Sequence, residues 1–276
     1  MTAIVTWNIQ NGRGCDGVTD LARIARVVRA MGPADVICLQ EIARDDPGIA
    51  GGADQVAELQ ALFPEYRAFF GAALDRTGAG EARRQYGNLL LSRLPARQVL
   101  HHLLPHPAEG GIKHMQRQAI EAVVETDGSL LRVVTTHLEY WSARHRAAQI
   151  ERLRALQEEA AANEAAPPLP GAPPYDSAPR PASLVLCGDF NLLPDDAEYR
   201  RLFQPPLADG WRIFHKDRPH PPSTGLYDKV QWTAGPHCRD YFAVTADVAR
   251  RIVALDMDDA TDASDHQPLR LVLGAG

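Results

Sequence analysis

The 276-residue sequence lacks the patterns typical of membrane, secreted and cysteine-rich zinc proteins. Its four cysteines, Cys15, Cys38, Cys187 and Cys238, form no C-x-x-C pair, so we predict buried thiols and neither zinc nor disulfides. No apolar run approaches the roughly 20 residues that a membrane-spanning helix needs. A basic start followed by a long apolar core, typical of a signal peptide, is also missing. We therefore expect a soluble, cytoplasmic protein without stable membrane insertion.

The chain carries more negative than positive charge. Its formal net charge is -6 at pH 7, with 29 Lys and Arg against 35 Asp and Glu. A protein that holds long nucleic acid through many phosphate contacts needs a basic face. The acidic balance argues against a nucleic-acid partner without excluding one, because Arg greatly outnumbers Lys and a local Arg patch can coexist with acidic surroundings.

Short apolar segments of strand length recur along the chain, bounded by turn-forming residues. They span residues 3–6, 36–39, 88–91, 119–124, 130–135, 183–187, 241–245 and 269–273. Two helices are predicted, one from about Asp20 to Met31 with Gly32 as its stop, and one starting near Ser142. Several strands adjoin without a helix between them, which predicts mixed or antiparallel sheets.

The composition predicts a single domain over residues 1–276. No composition step marks a second domain, and 45% hydrophobic residues support a substantial core. A Pro-rich segment without periodicity predicts a surface loop at about 165–182. The order of elements also repeats coarsely, which suggests two similar halves packed face to face, although no residue-level repeat is present.

Polar and titratable side chains cluster next to the predicted strands. Asp189 and Asn191 follow the apolar run 184–187, where open α/β sheets place active sites, although Gly-Asp-x-Asn is also ordinary turn composition. Comparable positions hold Asn8, Glu41, His137, Asp265 and His266. So many such side chains at strand ends predict one shared site.

The candidate ligands in this set are mostly oxygen donors. They are the carboxylates of Glu41, Asp189 and Asp265 and the amides of Asn8 and Asn191. Hard oxygen donors suit Mg²⁺ or Mn²⁺, which retain waters and bridge to substrate phosphate, whereas tetrahedral zinc prefers more His or Cys. The set therefore predicts metal-assisted phosphoryl chemistry with Mg²⁺, or Mn²⁺, as cofactor.

Four histidines lie close together in the sequence: His101, His102, His106 and His114. Their spacing fits no familiar zinc pattern, and Pro105 and Pro107 indicate an irregular loop, so we predict no metal site there. Arg117 is a better candidate for function, because a guanidinium just before the strand at 119–124 can bind substrate phosphate bidentately.

Seven short segments spread over nearly the whole chain form a specific combination, although each alone is a weak signal. They are Thr6-Trp7-Asn8-Ile9, Leu39-Gln40-Glu41, Tyr86-Gly87-Asn88 leading to Leu91-Ser92-Arg93, Thr136-His137-Leu138, Gly188-Asp189-Phe190-Asn191, Arg239-Asp240-Tyr241 and Ser264-Asp265-His266. In type and order they resemble the endonuclease/exonuclease/phosphatase superfamily. The resemblance implies an α/β (α+β) four-layer sandwich, two packed mixed β-sheets flanked by helices, and divalent-metal hydrolysis of phosphoester bonds.

The resemblance also implies roles for the matching residues around the metal. Glu41 would be the principal metal carboxylate and Asp265 a second contributor. Asn8 would be a ligand or an amide that orients phosphate. Asp189 and Asn191 would align the attacking water and the phosphoryl oxygens.

Two assignments of the proton transfer remain open at this point. Either His266, its tautomer fixed by Asp240, takes the proton from water, or Asp189 does while His266 stabilises phosphoryl charge. His137 would bond a phosphoryl oxygen. The expected substrate-binding side chains are Tyr86, Asn88 and Arg117.

Two residues differ from the pattern of abasic-site nucleases, and these differences narrow the expected substrate class. Abasic-site nucleases usually carry a Lys two residues after the metal Glu and an acid two residues after the first Asn, where this chain has Ala43 and Gln10. Residues 8–25 look more like the bacterial metal-dependent hydrolase branch close to the sphingomyelinase-like phosphodiesterases. Our first hypothesis is a phosphodiesterase acting on a small-molecule or lipid-derived phosphoester. The alternatives are a DNA or RNA nuclease and a catalytically silent binding protein.

Overall fold

The computed structural model describes residues 1–78, 80 and 82–275, and these form two six-stranded sheets. One sheet contains β1 (Thr2–Asn8), β2 (Val36–Arg44), β3 (Arg67–Thr77), β4 (Arg83–Ser92), β11 (Ile252–Met257) and β12 (Leu269–Leu273). The other contains β5 (Ala96–Leu103), β6 (Gln118–Thr126), β7 (Ser129–His137), β8 (Leu184–Asp189), β9 (Leu207–Asp209) and β10 (Asp240–Thr245). The helices are α1 (Leu21–Ala30), α2 (Gln55–Leu62), α3 (Ala143–Ala165), α4 (Ala197–Leu202), α5 (Gly210–His215) and α6 (Ala246–Ala249).

The strand order is β11-β12-β1-β2-β4-β3 in one sheet and β5-β6-β7-β8-β10-β9 in the other. Each sheet has a parallel pair, β1 with β2 and β7 with β8, while the neighbouring strands run antiparallel. The sheets are therefore mixed, as predicted. The coarse repeat in the sequence corresponds to these two parallel pairs.

The sheets pack face to face, and helices cover their outer faces. The apolar side chains between the sheets include Ile4, Val36, Cys38, Leu90, Ile120, Val133, Val185, Cys187, Phe242 and Leu271. A second core packs α1 and α2 on one sheet, and a third packs α3 and α4 on the other. Because both faces of the central strands are buried, their sequences are nearly continuous apolar runs. The predicted four-layer sandwich is confirmed.

The two predicted helices begin at side-chain caps. Asp20 accepts a hydrogen bond from the Arg23 backbone N–H at the start of α1, and Ser142 accepts one from the His145 N–H at the start of α3. Such caps satisfy backbone donors that have no partner within the helix. After α1 the chain turns at Gly32, whose φ of 100° favours glycine.

The four strands missing from the sequence prediction are the edge strands of the two sheets: β3, β5, β9 and β11. Edge strands β3, β5 and β11 are largely half-exposed or exposed along their length. β3 and β11 nevertheless contain largely apolar stretches, residues 68–74 and 252–255, so exposure distinguishes these edge strands from the central ones more clearly than composition does. The prediction therefore succeeded for strands with two covered faces and failed at the edges.

Residues 166–183, between α3 and β8, contain no helix or strand and are mostly exposed. They include the Pro-rich segment. None of the helices in the described part of the chain is both long and apolar enough to cross a membrane.

Candidate active site

The ends of the two parallel strand pairs meet at one end of the sandwich. Asn8 ends β1, opposite Gln40 of β2, and His137 ends β7, opposite Asp189 at the end of β8. Asp240 begins β10 and lies opposite Asp189 in antiparallel register. The topology therefore brings side chains from both halves of the sequence into one cluster.

Gly188 and Asp189 end β8, and the Asn191 backbone N–H donates to Asp189 Oδ1, so the motif combines a strand end with an Asx turn. Gly188 has φ 137°, and a Cβ atom there would lie 1.9 Å from the Thr136 carbonyl oxygen of β7. Only glycine permits so close an approach of the two backbones. The glycine thus sets the distance between the strand ends that carry His137 and Asp189.

Glu41 lies within β2 at a bulge, and not at the strand end that the sequence predicted. The register with β4 shifts between Gln40 and Ile42, and Glu41 has a positive φ of 64°. A bulge adds a residue to one strand and redirects its side chain, and such strain is common at functional sites. Burial and the nearby charge of Asp265 raise the pKa of Glu41.

Asn8 links the acids of the two sheets. Its Nδ2 donates to Glu41 Oε1 and to Asp189 Oδ2, each at 3.0 Å. Its Oδ1 accepts a hydrogen bond from the Gln10 backbone N–H at 3.1 Å. In this orientation Asn8 positions both carboxylates through its amide nitrogen. Its amide oxygen accepts one hydrogen bond and keeps a second lone pair that a metal can use.

Asp265 is held by side chains that the sequence analysis did not single out. Its Oδ2 accepts hydrogen bonds from Gln231 Nε2 at 2.9 Å and from Trp232 Nε1 at 3.0 Å, and Ser264 Oγ lies 3.3 Å from Oδ1. Asp265 is buried and raises the pKa of Glu41 through its charge. Two neighbouring carboxylates form a donor set that fits a hard divalent cation.

His266 lies between two carboxylates. Its Nδ1 is 2.8 Å from Asp240 Oδ2, and its Nε2 is 3.6 Å from Asp189 Oδ2. Burial opposes a positive charge on the ring, but Asp240, Asp189 and Asp265 together raise the pKa of His266 to about 10. Ser223 Oγ also donates to Asp240 Oδ2 at 2.6 Å. The contact between His266 Nδ1 and Asp240, which the family resemblance implied, fixes the orientation of the His266 ring.

Asp189, Asp240 and His266 also place one ligand atom each within 4.8 Å of one another. This is a second group at the site that could hold a cation. A ring already bonded to Asp240 through Nδ1 offers only Nε2 to a metal, and only when that nitrogen is unprotonated. The oxygen donors of Glu41 and Asp265 therefore fit a hard cation better.

His137 differs from His266 in its charge. Burial and the charge of Arg117 lower the pKa of His137 to about 3, so the ring is neutral at pH 7. Its Nε2 lies 3.1 Å from Asn191 Nδ2 and 3.3 Å from Asp189 Oδ2, and its Nδ1 lies 3.9 Å from Glu41 Oε1. A neutral imidazole carries one N–H in either tautomer. His137 can therefore donate one hydrogen bond without carrying charge.

Asn191 is oriented by its neighbours at the end of the Gly-Asp-Phe-Asn motif. Its φ is 50°, its Nδ2 donates to the Leu138 carbonyl at 2.9 Å, and its Oδ1 accepts from Arg239 at 3.1 Å. The backbone N–H of Asn191 donates to Asp189 Oδ1 at 2.9 Å. Asp189 is thereby held at Oδ1, while Oδ2 faces the amide and imidazoles described above.

The three expected substrate-binding residues have different surroundings. Asn88 is buried on β4 opposite Gln40, and its Nδ2 lies 3.3 Å from the Gln118 carbonyl. Burial and the charge of Glu41 raise the pKa of Tyr86 well above its usual value. Arg117 is buried, and its Nε pairs with Glu139 Oε2 at 3.3 Å.

Residues beyond the predicted set complete the rim of the site. Arg239 lies 5.0 Å from the ring centroid of Tyr140 and 5.1 Å from that of Trp232. Trp141 is 55% exposed, and Lys113 Nζ lies 5.5 Å from its ring. Arg239 could have been predicted as a site residue because it precedes Asp240 in the sequence. Tyr140, Trp141 and Trp232 lie in loops, so no strand pattern marks them.

An α/β sandwich with carboxylates, amides and imidazoles clustered at one end is typical of phosphoester hydrolases. The chain belongs to the endonuclease/exonuclease/phosphatase family, whose profile matches residues 5–266. Enzymes of this family hydrolyse phosphoester bonds and generally use divalent metals. The family predicted from the sequence is thus confirmed.

Solved structures share the fold. An endonuclease/exonuclease/phosphatase from Beutenbergia cavernae is 25% identical, with a TM-score of 0.71 over 99% of this chain and 72% of that one. A mannosyl-6-phosphatase from Bacteroides thetaiotaomicron is 15% identical, with a TM-score of 0.71 over 100% of both chains. A 3′ phosphatase from Neisseria, bound to product DNA hairpin, is 18% identical, with a TM-score of 0.65 over 100% of both chains. A search of curated proteins found no match.

Proposed function

We propose that this protein is a divalent-metal-dependent hydrolase that cleaves phosphodiester bonds by attack of water. The observation that carries the proposal is the convergence of Glu41, Asp265, Asp189 and the Asp240–His266 pair at one end of both sheets. Acids that face one another in a buried site are stabilised by a cation or by protonation of one of them. Hydrolysis of a phosphodiester needs a positioned water and positive charge around the phosphoryl oxygens, which favours a cation here.

Glu41 and Asp265 would hold the cation, with Asn8 Oδ1 as a further donor. Their oxygen atoms suit Mg²⁺ or Mn²⁺. When bound, such a cation would neutralise charge on a phosphoryl oxygen and help to orient the substrate. The raised pKa of Glu41 supports this placement, because a divalent cation relieves the repulsion between Glu41 and Asp265.

Asp189 accepts the proton of the attacking water in this proposal. Its Oδ2 lies among Asn8, His137 and His266, while Oδ1 is held by the Asn191 backbone. His266 lies between Asp240 and Asp189, which favours a positively charged ring that stabilises the phosphoryl oxygens. The neutral His137 ring donates its one N–H to a further phosphoryl oxygen.

The preferred substrate is a small or lipid-derived phosphodiester, within the sphingomyelinase-like branch that residues 8–25 resemble. A nucleic-acid substrate is a second candidate, because the rim offers exposed aromatic rings beside cations. Trp141 with Lys113, and Tyr140 with Arg239, provide surfaces on which bases can stack next to positive charge. The bound DNA hairpin of the Neisseria 3′ phosphatase is consistent with this second candidate.

A substrate panel tests the proposal. Full-length protein with Mg²⁺ should hydrolyse bis(p-nitrophenyl) phosphate, and Asp189→Asn should lose that activity while it keeps the wild-type circular dichroism spectrum. Equal rates in wild type and Asp189→Asn would overturn the assignment of Asp189. Inactivity of the wild type on every substrate would favour a catalytically silent binding protein.

The same panel separates the substrate classes. It contains a phosphomonoester, sphingomyelin, abasic DNA, single-stranded DNA and RNA. Sphingomyelin or a small phosphodiester should give the highest kcat/KM. A higher value for single-stranded DNA or RNA, reduced by Trp141→Ala, would instead support the nucleic-acid candidate.

A further inference from the structure

A second cluster of titratable side chains lies where the segment between β5 and β6 meets α3. His106 and His114 belong to the segment, and His145 lies in the first turn of α3. The centroids of their rings are 4.7 Å (His106 to His114), 4.9 Å (His106 to His145) and 4.7 Å (His114 to His145) apart. Each ring offers a nitrogen within 4.8 Å of the nitrogens of the other two.

The hydrogen bonds of His114 leave one of its nitrogens unprotonated. Nε2 lies 2.9 Å from the backbone oxygen of Glu109, which can only accept, so a neutral ring carries its proton on Nε2. Nδ1 then presents a lone pair to His106 Nε2, 2.8 Å away. A histidine that binds a metal often donates its other N–H to a backbone carbonyl in this way.

His145 adds an independent observation. The residue is fully buried, and neither of its ring nitrogens has a hydrogen-bond partner within residues 1–78, 80 and 82–275. Leaving a buried polar group without a partner costs free energy, and a metal bond would satisfy one of the two nitrogens. The carboxylate of Glu109 lies 3.6 Å from His145 Nε2, close enough to supply negative charge to a bound cation.

We propose that His106, His114 and His145 bind a transition-metal cation of the zinc class, separate from the Mg²⁺ proposed at Glu41. Three imidazoles favour zinc over magnesium, and a tetrahedral ion has a fourth position for water or Glu109. The ligand set spans two elements, so binding would tie the β5–β6 segment to α3. No cysteine is needed for this site.

The site has a structural consequence for the active-site wall. The same segment ends at Met115 and Arg117, whose backbone N–H and Nε respectively contact Glu139 Oε2. Arg117 in turn lowers the pKa of His137. An ion at the three histidines would therefore stabilise the segment that places Arg117, without taking part in the reaction.

Zinc binding by metal-stripped, full-length protein tests the proposal. With Mg²⁺ in excess to fill the oxygen-rich site, equilibrium dialysis should show a tightly bound zinc ion that His106→Ala and His114→Ala lack. His101→Ala is the matched control, because His101 is an exposed histidine on neighbouring β5 and should bind zinc like the wild type. Zinc should also raise the melting temperature of wild type and His101→Ala, but of neither cluster variant.

Cobalt(II) gives a readout that does not depend on activity. Wild type and His101→Ala should show the intense visible absorption of four-coordinate cobalt, and His106→Ala should not. Equal zinc stoichiometry in wild type, His106→Ala and His114→Ala would overturn the proposal. So would zinc binding that is lost in Glu41→Gln and kept in His106→Ala, because the zinc would then occupy the active site.

Discussion

Two buried clusters in this molecule both contain acids and a histidine but have opposite electrostatics. In the first, Glu121 of β6 contacts two arginines and a histidine. Arg132 Nε and Arg180 Nε lie 2.8 Å and 2.6 Å from its Oε1, and His102 Nε2 lies 3.0 Å from its Oε2. Burial opposes ionisation of Glu121, but these partners hold its pKa far below the usual range.

In the second cluster, at the active site, acids face one another. Burial and the charge of Asp265 raise the pKa of Glu41, and His266 is shared between Asp240 and Asp189. The comparison teaches that burial alone does not identify a functional acid. An acid with enough buried cations stabilises the fold, whereas acids left facing one another are available to a metal and a substrate.

The largest expected effect comes from breaking the active-site pair. Asp240→Asn should lower kcat roughly 10²- to 10⁴-fold, because His266 loses the carboxylate that orients and charges it. The measurement is steady-state hydrolysis of a generic phosphodiester with Mg²⁺. His102→Gln, which removes the imidazole beside Glu121, is the control and should keep wild-type kcat. Similar losses in both variants would contradict the distinction between the clusters.

The second-largest effect is the loss of stability when the charge of Glu121 is removed. Glu121→Gln should lower the free energy of unfolding by about 3–5 kcal/mol, because Arg132 would keep a buried charge without a compensating acid. Urea unfolding at neutral pH measures the change. Glu125→Gln is matched to it on the same strand, breaks the exposed pair with Arg97, and should cost less than about 1 kcal/mol. A smaller loss for Glu121→Gln than for Glu125→Gln would refute the structural role of Glu121.

Removal of Mg²⁺ should have a moderate effect on stability, confined to the active site. Mg²⁺ at 100 times its dissociation constant should stabilise the wild type by about 2.7 kcal/mol, and Glu41→Gln should lose most of that gain. Without metal, Glu41→Gln should be no less stable than wild type, because a repelling charge is removed. Thermal unfolding of zinc-free protein with and without Mg²⁺ tests both points, with Glu65→Gln as the exposed control. Full Mg²⁺ stabilisation of Glu41→Gln would exclude Glu41 as a ligand.

The smallest effect is the pH dependence of the Glu121 cluster. The pKa of Glu121 is lower in the folded chain than in the unfolded chain. Between these two pKa values the unfolded chain binds more protons, so the free energy of unfolding falls as pH falls. The contribution of ionised Glu121 to the free energy of unfolding is complete above the pKa of an unfolded Glu, about 4.3. Below that pH it declines by at most about 1.4 kcal/mol per pH unit. Urea unfolding of wild type and Glu121→Gln should show a difference that is constant above about pH 5.5 and shrinks below about pH 4. A difference that grows on acidification would reverse the assigned sign.

The sequence predicted the central strands and their polar ends, because those strands are buried on both faces and carry nearly unbroken apolar runs. It also predicted that Asn8, Asp189 and His266 belong to one site. It did not predict Gln231 and Trp232, which hold Asp265, because hydrogen bonds between distant segments have no local pattern.

The histidines illustrate the same limit. The sequence showed His101, His102, His106 and His114 as one group, but His101 and His102 lie on β5, whereas His106 and His114 lie in the segment after it. His102 pairs with Glu121, and His145 joins His106 and His114 from α3. Proximity along the chain therefore does not reproduce the grouping of these histidines in space.

By itself the sequence determined the family, the two mixed sheets and the chemical types gathered at one end, because side-chain periodicity and short motifs are local properties. Only the tertiary structure decided which acids are paired with cations and which face one another. It decided that Glu121 pairs with Arg132 and Arg180, that Glu41 lies within the field of Asp265, and that His145 completes a ring cluster. The physical reason is that Coulomb energy depends on distance and burial in space, and neither follows from separation along the chain.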